Sequence, residues 1–183
     1  ITMDLVSPND LCFGPNGKLY VTDPTRRASR DDGRIWSVDV ELGEAELLAS
    51  TRWYPNGIGF FEEEDIVYVA QGGEGRIVRM PLGDMEAEPE VFIQLDHGRP
   101  DGFAWDTDGN ILVAAITGSG PGDLQVFDRR GRLVEVIHPG PDQKYTNLAL
   151  CGRGTLYVTD SDGGKVIVGD WGVPGLPLHP FRQ

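Results

Sequence analysis

The 183 residues are 39% hydrophobic and 25% charged, enough for a sizeable core, and no apolar run approaches the roughly 18 residues of a membrane-spanning helix. The formal charge of −13 argues against nucleic acid and anionic membrane as partners, since both are bound by Lys and Arg neutralising phosphates. The two cysteines, Cys12 and Cys151, form no Cys-x-x-Cys pair, so no redox or thiolate-zinc motif is present; two buried, reduced thiols are expected, in a cytoplasmic protein.

In chain order, one unit recurs four times. Pro8-Asn9-Asp10 leads into strands expected at 11–13 and 19–22. Pro55-Asn56-Gly57 leads into 58–61 and 66–70, Pro100-Asp101-Gly102 into 103–105 and 111–115, and Thr146-Asn147 into 148–150 and 155–159. The anchors Asn9, Asn56, Asp101 and Asn147 thus recur at intervals of about 46 residues, a period that marks an array of one supersecondary unit. A third strand starts from a glycine in each repeat, at Gly33, Gly75, Gly122 and Gly164. A more polar fourth is expected at 45–49, 89–94 and 133–138. Asn16-Gly17, Asp108-Gly109 and Arg130-Gly131 stand where hairpins need positive φ.

Four antiparallel strands per unit of about 45 residues make a β-propeller blade, so residues 1–183 read as one all-β propeller or part of one. The fourth repeat lacks its last strand, because Pro174, Pro177 and Pro180 interrupt the region after it. Residues 1–6 are the upstream candidate to complete it. Four repeats fit either a small ring or part of a larger one, completed by upstream blades or by self-association.

The first strand of each blade lines a propeller's channel, so the four anchors converge near its axis. They offer amide oxygens and one carboxylate, a set suited to a hard divalent cation: Ca²⁺ first, then Mg²⁺ or Mn²⁺, with Zn²⁺ further down. The competing reading is structural, since Asn and Asp also bond their own backbone in turns.

The ordered set Pro8-Asn9-Asp10, Pro55-Asn56-Gly57, Pro100-Asp101-Gly102 and Thr146-Asn147, with the terminal Gly172-Val173-Pro174-Gly175-Leu176-Pro177-Leu178, resembles the gluconolactonase / regucalcin / luciferin-regenerating-enzyme family across essentially the whole chain. The resemblance implies a six-bladed propeller with a divalent cation, commonly calcium, in its channel, and hydrolysis of lactones of sugar acids. It implies Asn56 and Asp101 as metal ligands, Asp101 also as general base, Asn9 at the metal or substrate, and a structural Asn147. Two positions depart from the family pattern. Its glutamate ligand has no counterpart before Asn9, where Asp4 is the only acid, which implies about two absent blades. Ser7 stands where many members have a sugar-binding Arg.

Among other residues, Arg26 is a candidate for binding a substrate carboxylate, with Arg27 and Arg30 in the same loop. The glycine-rich stretch 117–122 lacks the Lys-Ser/Thr of a phosphate loop, and Ser119 lacks a nucleophile-elbow context. His97 lies four residues before Asp101 and is a candidate for the mouth; His138 and His179 follow no pattern. Acids at 62–65 read as a solvated hairpin tip. The leading expectation is a metal-dependent lactone hydrolase. The alternatives are a catalytically inactive propeller that binds calcium, or one that binds a protein partner.

Overall fold

A computed structural model describes residues 4–25, 32–62, 65–142 and 144–180. These hold four antiparallel sheets arranged as the blades of a β-propeller. Blade 1 comprises β1 (Leu11–Phe13), β2 (Leu19–Asp23), β3 (Gly33–Asp39) and β4 (Glu44–Thr51). Blade 2 comprises β5 (Pro55–Phe60), β6 (Ile66–Gln71), β7 (Arg76–Pro81) and β8 (Glu90–Gln94). Blade 3 comprises β9 (Arg99–Trp105), β10 (Ile111–Ile116), β11 (Asp123–Phe127) and β12 (Leu133–Ile137). Blade 4 has three strands, β13 (Tyr145–Leu150), β14 (Thr155–Asp160) and β15 (Lys165–Asp170). Strand order within each sheet follows the chain, so every connection is a hairpin. Gly17, Gly109 and Gly131 take φ of 79°, 83° and 73°, as the turn sequences require. No helix among the described residues is long and apolar enough to cross a membrane.

Each joint between successive blades holds its own apolar layer. Ile35, Val67 and Val78 fill the first, Ile77, Ile111 and Phe127 the second, and Leu112, Leu124 and Tyr145 the third. Strand β10 explains why it reads as one apolar run. Ile111 and Val113 face blade 2 while Leu112 and Ala114 face blade 4, so both faces are covered. Blade 4 alternates instead. Leu156 and Val158 are buried, but Tyr157, Val166 and Val168 are exposed, as is Leu11 on blade 1.

Polar pairs lock the structure at the end where the inner strands begin, one within blade 1 and one at the blade 2–3 joint. Buried Asp23 accepts from Arg34 at 2.6 Å and from the amides of Val6 and Ser7. The described part of the 1–6 segment therefore lies on blade 1 and does not complete blade 4. Hydrogen bonds hold the Asp23 carboxyl below the usual range, with Val6, Ser7, Thr25 and Arg34 as donors outweighing burial, the largest single influence. At the blade 2–3 joint, His97 bonds Asp96 at 3.1 Å and buried Asp123 at 2.5 Å. Gln125 ties the same loop down, donating to His97 O and accepting from Asp96 N. Both ring nitrogens of His97 are thus committed to the joint.

Residues 171–180 cross the opposite end of the channel from blade 4 towards blade 2 without forming a regular strand, as the prolines predict. Leu176 N donates to Trp105 O at 2.9 Å, and His179 Nε2 to Glu62 O at 2.7 Å. The crossing is fastened to fully buried Asp106. Its carboxylate accepts from Asp108 N, Asn110 N, Asn110 Nδ2 and Trp171 Nε1 at 2.8–3.0 Å.

Asp106→Ala strands several buried donors at once and lowers the unfolding free energy by about 3 kcal/mol, read from denaturant titration. The His97 pKa is raised, first by the bond to Asp96 and then by Asp123. A raised histidine stabilises fully below its unfolded pKa, about 6.5, and loses that contribution as pH climbs through the folded value. The Tm gap between the wild type and His97→Gln is therefore widest in mild acid and narrows in alkali, measured by thermal melts from pH 5.5 to 9.

Candidate functional site

The anchors were expected just before the inner strands. In blades 2–4 they lie inside them, at β-bulges. Pro55 pairs with Gln71 and Ile58 with Val69, so Asn56 and Gly57 together face Ala70. Pro100 pairs with Ala115 and Phe103 with Val113, so Asp101 and Gly102 together face Ala114. In β13 the shift falls between Tyr145 and Asn147. Blade 1 repeats the arrangement at the edge of β1, where Asn9 N donates to Thr22 O and Thr22 N to Asp10 O, at 2.9 and 3.0 Å. A bulge turns the strand and re-aims its side chains, and such features concentrate near functional sites.

The inner strands crowd together at these bulges. A Cβ on Gly57 would overlap Asp101 O, and one on Gly102 would overlap the Asn147 side chain. The glycines after two of the anchors are therefore needed for close approach. Successive anchors are knit across the joints. Asn9 Nδ2 lies 3.5 Å from Tyr54 Oη, and Asn56 Nδ2 donates to Pro100 O at 3.3 Å.

The anchors differ in what their oxygens do. Asn147 Oδ1 accepts from Leu148 N at 2.8 Å, so it is spent on its own chain, in keeping with a structural role. Asn56 is 7% exposed, its Nδ2 is bonded, and its Oδ1 is buried with no hydrogen-bond partner among the described residues. Leaving a buried carbonyl oxygen unbonded costs about 1–3 kcal/mol. The backbone of Pro100 and Asp101 packs against Asn56-Gly57, and an amide oxygen with the half-buried Asp101 carboxylate is the kind of donor set a hard cation takes. Among the described residues no three or more His, Cys, Asp or Glu side chains gather, so amides supply most of the available donors. Asn9 is exposed at the rim.

Asp10 and Thr22 were not singled out from the sequence. Asp10 Oδ2 accepts from Ile58 N at 3.1 Å. Burial raises its pKa, against hydrogen bonds from Ile58, Leu11 and the Asn147 side chain. The available signal was that Asp10 follows its anchor where the other repeats have Gly57, Gly102 and Leu148.

Beyond the anchors lies a mostly apolar cavity of about 360 Å³, walled by Cys12, Phe60, Phe103, Trp105 and Leu148 and bordered by the 176–179 segment. A larger groove of about 590 Å³ runs between β4 and the 85–89 segment, away from the anchors. The bulges are the stronger candidate because they hold the unbonded Asn56 oxygen, and the smaller cavity reaches them at Asp10 and Asn147. Cys12 and Cys151 are unpaired and half-buried, less covered than expected. Burial, reinforced by Asp10, pushes the Cys12 thiol far up; hydrogen bonds from Arg153 N and the Thr155 side chain lower that of Cys151. His97 is engaged at the blade joint and His179 at the opposite end of the channel. Arg26, Arg27 and Arg30 lie outside the described residues, as do Glu63 and Glu64.

Residues 2–162 match the SMP-30/Gluconolactonase/LRE-like region. The chain is 25% identical to the gluconolactonase of Zymomonas mobilis subsp. mobilis over 176 residues, 85% of this chain and 48% of that protein. It is 32% identical to the adipocyte plasma membrane-associated protein of Rattus norvegicus over 122 residues, 60% of this chain and 32% of that protein. The chain thus spans less than half the length of these curated relatives. Its fold superposes on regucalcin, a calcium-binding protein from Agrobacterium tumefaciens, with a TM-score of 0.78 and 25% identity, covering 96% of this chain and 65% of that one. The matched region takes in all four anchors, and the chain belongs to the SMP-30/gluconolactonase/LRE-like family.

Proposed function

We propose that this protein acts as a divalent-cation-dependent lactone hydrolase, with Asn56 and Asp101 holding the cation and Asn9 at the metal or substrate side of the rim. The observation that carries this reading is the buried, unbonded Asn56 Oδ1 next to the Asp101 bulge. The gluconolactonase and the calcium-binding regucalcin among its relatives support the reaction class and the choice of Ca²⁺.

A bound cation supplies positive charge that polarises the lactone carbonyl and stabilises the oxyanion formed on attack. Asp101 takes a proton from water as the water oxygen bonds to the carbonyl carbon. The ring C–O bond then breaks, and the proton passes to the departing ring oxygen, giving the hydroxy acid. The Asn9 amide can donate a hydrogen bond to a substrate oxygen at the rim.

The uncovered apolar side chains of the end blades, Leu11 on one and Tyr157, Val166 and Val168 on the other, favour a second reading. In it the propeller binds a protein, or a second copy of itself, through these faces without turnover.

Hydrolysis of glucono-δ-lactone, followed by acid release, separates the two. The enzyme reading expects activity that rises with Ca²⁺ and falls with chelator. Asp101→Asn is expected to lose about 100-fold or more in kcat while remaining folded. Activity indifferent to chelator, or undiminished in Asp101→Asn, overturns the assignment. Absence of hydrolysis together with concentration-dependent association, measured by light scattering, supports the second reading.

A further inference from the structure

The bulge that carries Asn56 creates a problem of backbone hydrogen bonding, and blade 1 resolves it. Bulged residues lose regular partners on the neighbouring strand, and buried main-chain groups must be satisfied elsewhere. The Asn56 carbonyl accepts from Thr22 Oγ1 at 2.8 Å, and the Ile58 amide donates to Asp10 Oδ2 at 3.1 Å. Both partners come from blade 1 and reach across the joint into blade 2. They are also tied to each other, since Thr22 Oγ1 accepts from Asp10 N at 3.1 Å. Pro100 O, from blade 3, holds the Asn56 side-chain nitrogen. Asn56 is thus fixed by both flanking blades, while its Oδ1 is left unbonded.

Thr22 is not a general solution for this fold. Val21, Val69, Val113 and Val158 occupy equivalent register positions, and the residues after them are Thr22, Ala70, Ala114 and Thr159. Thr159 Oγ1 donates to Asn147 O within its own blade, at 3.2 Å. Thr22 is fully buried; its hydroxyl lies 3.3 Å from Asp10 O in its own blade but 2.8 Å from Asn56 O, the shorter contact, at the anchor of the next blade.

We propose that Thr22 and Asp10 are positioning residues that hold the Asn56 bulge so that its side-chain oxygen is presented to a divalent cation. The proposal rests on the reading of Asn56 as a metal ligand. Partners that orient a metal ligand are typically worth about 10- to 100-fold in affinity. Thr22→Val keeps the shape and removes the hydroxyl, whereas Thr22→Ser keeps the hydroxyl.

The test is Ca²⁺ binding by isothermal titration calorimetry on the 183-residue protein, with each variant's fold checked by a metal-free melt. Thr22→Val is expected to bind Ca²⁺ about 10- to 100-fold more weakly, Thr22→Ser to restore wild-type affinity, and Asn56→Ala to lose binding. Asp10→Ala carries the same expectation as Thr22→Val and serves where that variant fails to fold. Thr22→Val and Asp10→Ala should weaken binding by less in combination than their separate effects predict, because both act on one bulge. A folded Thr22→Val or Asp10→Ala that binds Ca²⁺ like wild type, with only its Tm lowered, overturns this inference while Asn56→Ala still upholds the site. If wild type binds no Ca²⁺, or Asn56→Ala binds it unchanged, the site reading falls and takes this inference with it.

Discussion

The candidate site depends on the pairing of backbone groups where inner strands carry an extra residue. An inner strand without bulges would keep its regular ladder and alternate its side chains between the two faces of its blade. The extra residue at Asn56-Gly57 and Asp101-Gly102 breaks that alternation and brings neighbouring strands so close that glycine must follow the anchor. It also frees main-chain groups that, at Asn56, the preceding blade satisfies. The bonds from Thr22 and Asp10 to the Asn56 bulge are therefore both packing and site construction. At the same end Asp23 with Arg34 fastens blade 1 internally, and His97 with Asp123 ties the loop between blades 2 and 3 to blade 3.

Blade joints carry most of the apolar burial, and this explains the uneven burial from one blade to the next. Blades 2 and 3 have a neighbour on each side, so strands such as β6 and β10 are buried on both faces. Blade 4 has one neighbour, and its uncovered face leaves Tyr157, Val166 and Val168 in solvent. The 171–180 crossing links blade 4 back to blade 3 through Trp171 and Asp106, and onward to blade 2 through His179 and Glu62. It contributes by tying the channel's far end together, since among the described residues it pairs with the sheets through one bridge, Asp106 to Gly175.

Much of this fold was legible in the sequence, because its period and turns are local signals. The anchors at 9, 56, 101 and 147, the glycines at 17, 109 and 131, and the proline-interrupted end each announce a feature the fold contains. The bulges were not legible. Asn56-Gly57 looks like a turn before a strand because a bulge interrupts the alternation that marks strand residues. His97 looked like a candidate for the mouth on chain proximity to Asp101, but its partner Asp123 is 26 residues away in the next blade. Thr22 was hidden for the same reason. It sits in an ordinary β-branched run, and only the joint between blades gives its hydroxyl a target 34 residues on.

The oxygen-rich, charge-poor character of the anchors follows from this construction. Carboxylates at every anchor would place several negative charges within a crowded, partly buried ring, a repulsion that would raise their pKa values and favour their protonated forms. Amides at Asn9, Asn56 and Asn147 avoid that repulsion and can also bond to neighbouring backbone, as Asn56 does to Pro100 O and Asn147 to Leu148 N. Asp101 is the one carboxylate among the anchors, with Asp10 adding a second acid at the blade 1 bulge. On the proposed function, a cation held by one carboxylate and an amide would be neutralised only in part, and the charge left over would polarise a substrate carbonyl. If the proposed hydrolysis holds, the choice of amide over acid that lets the ring pack would also serve the chemistry.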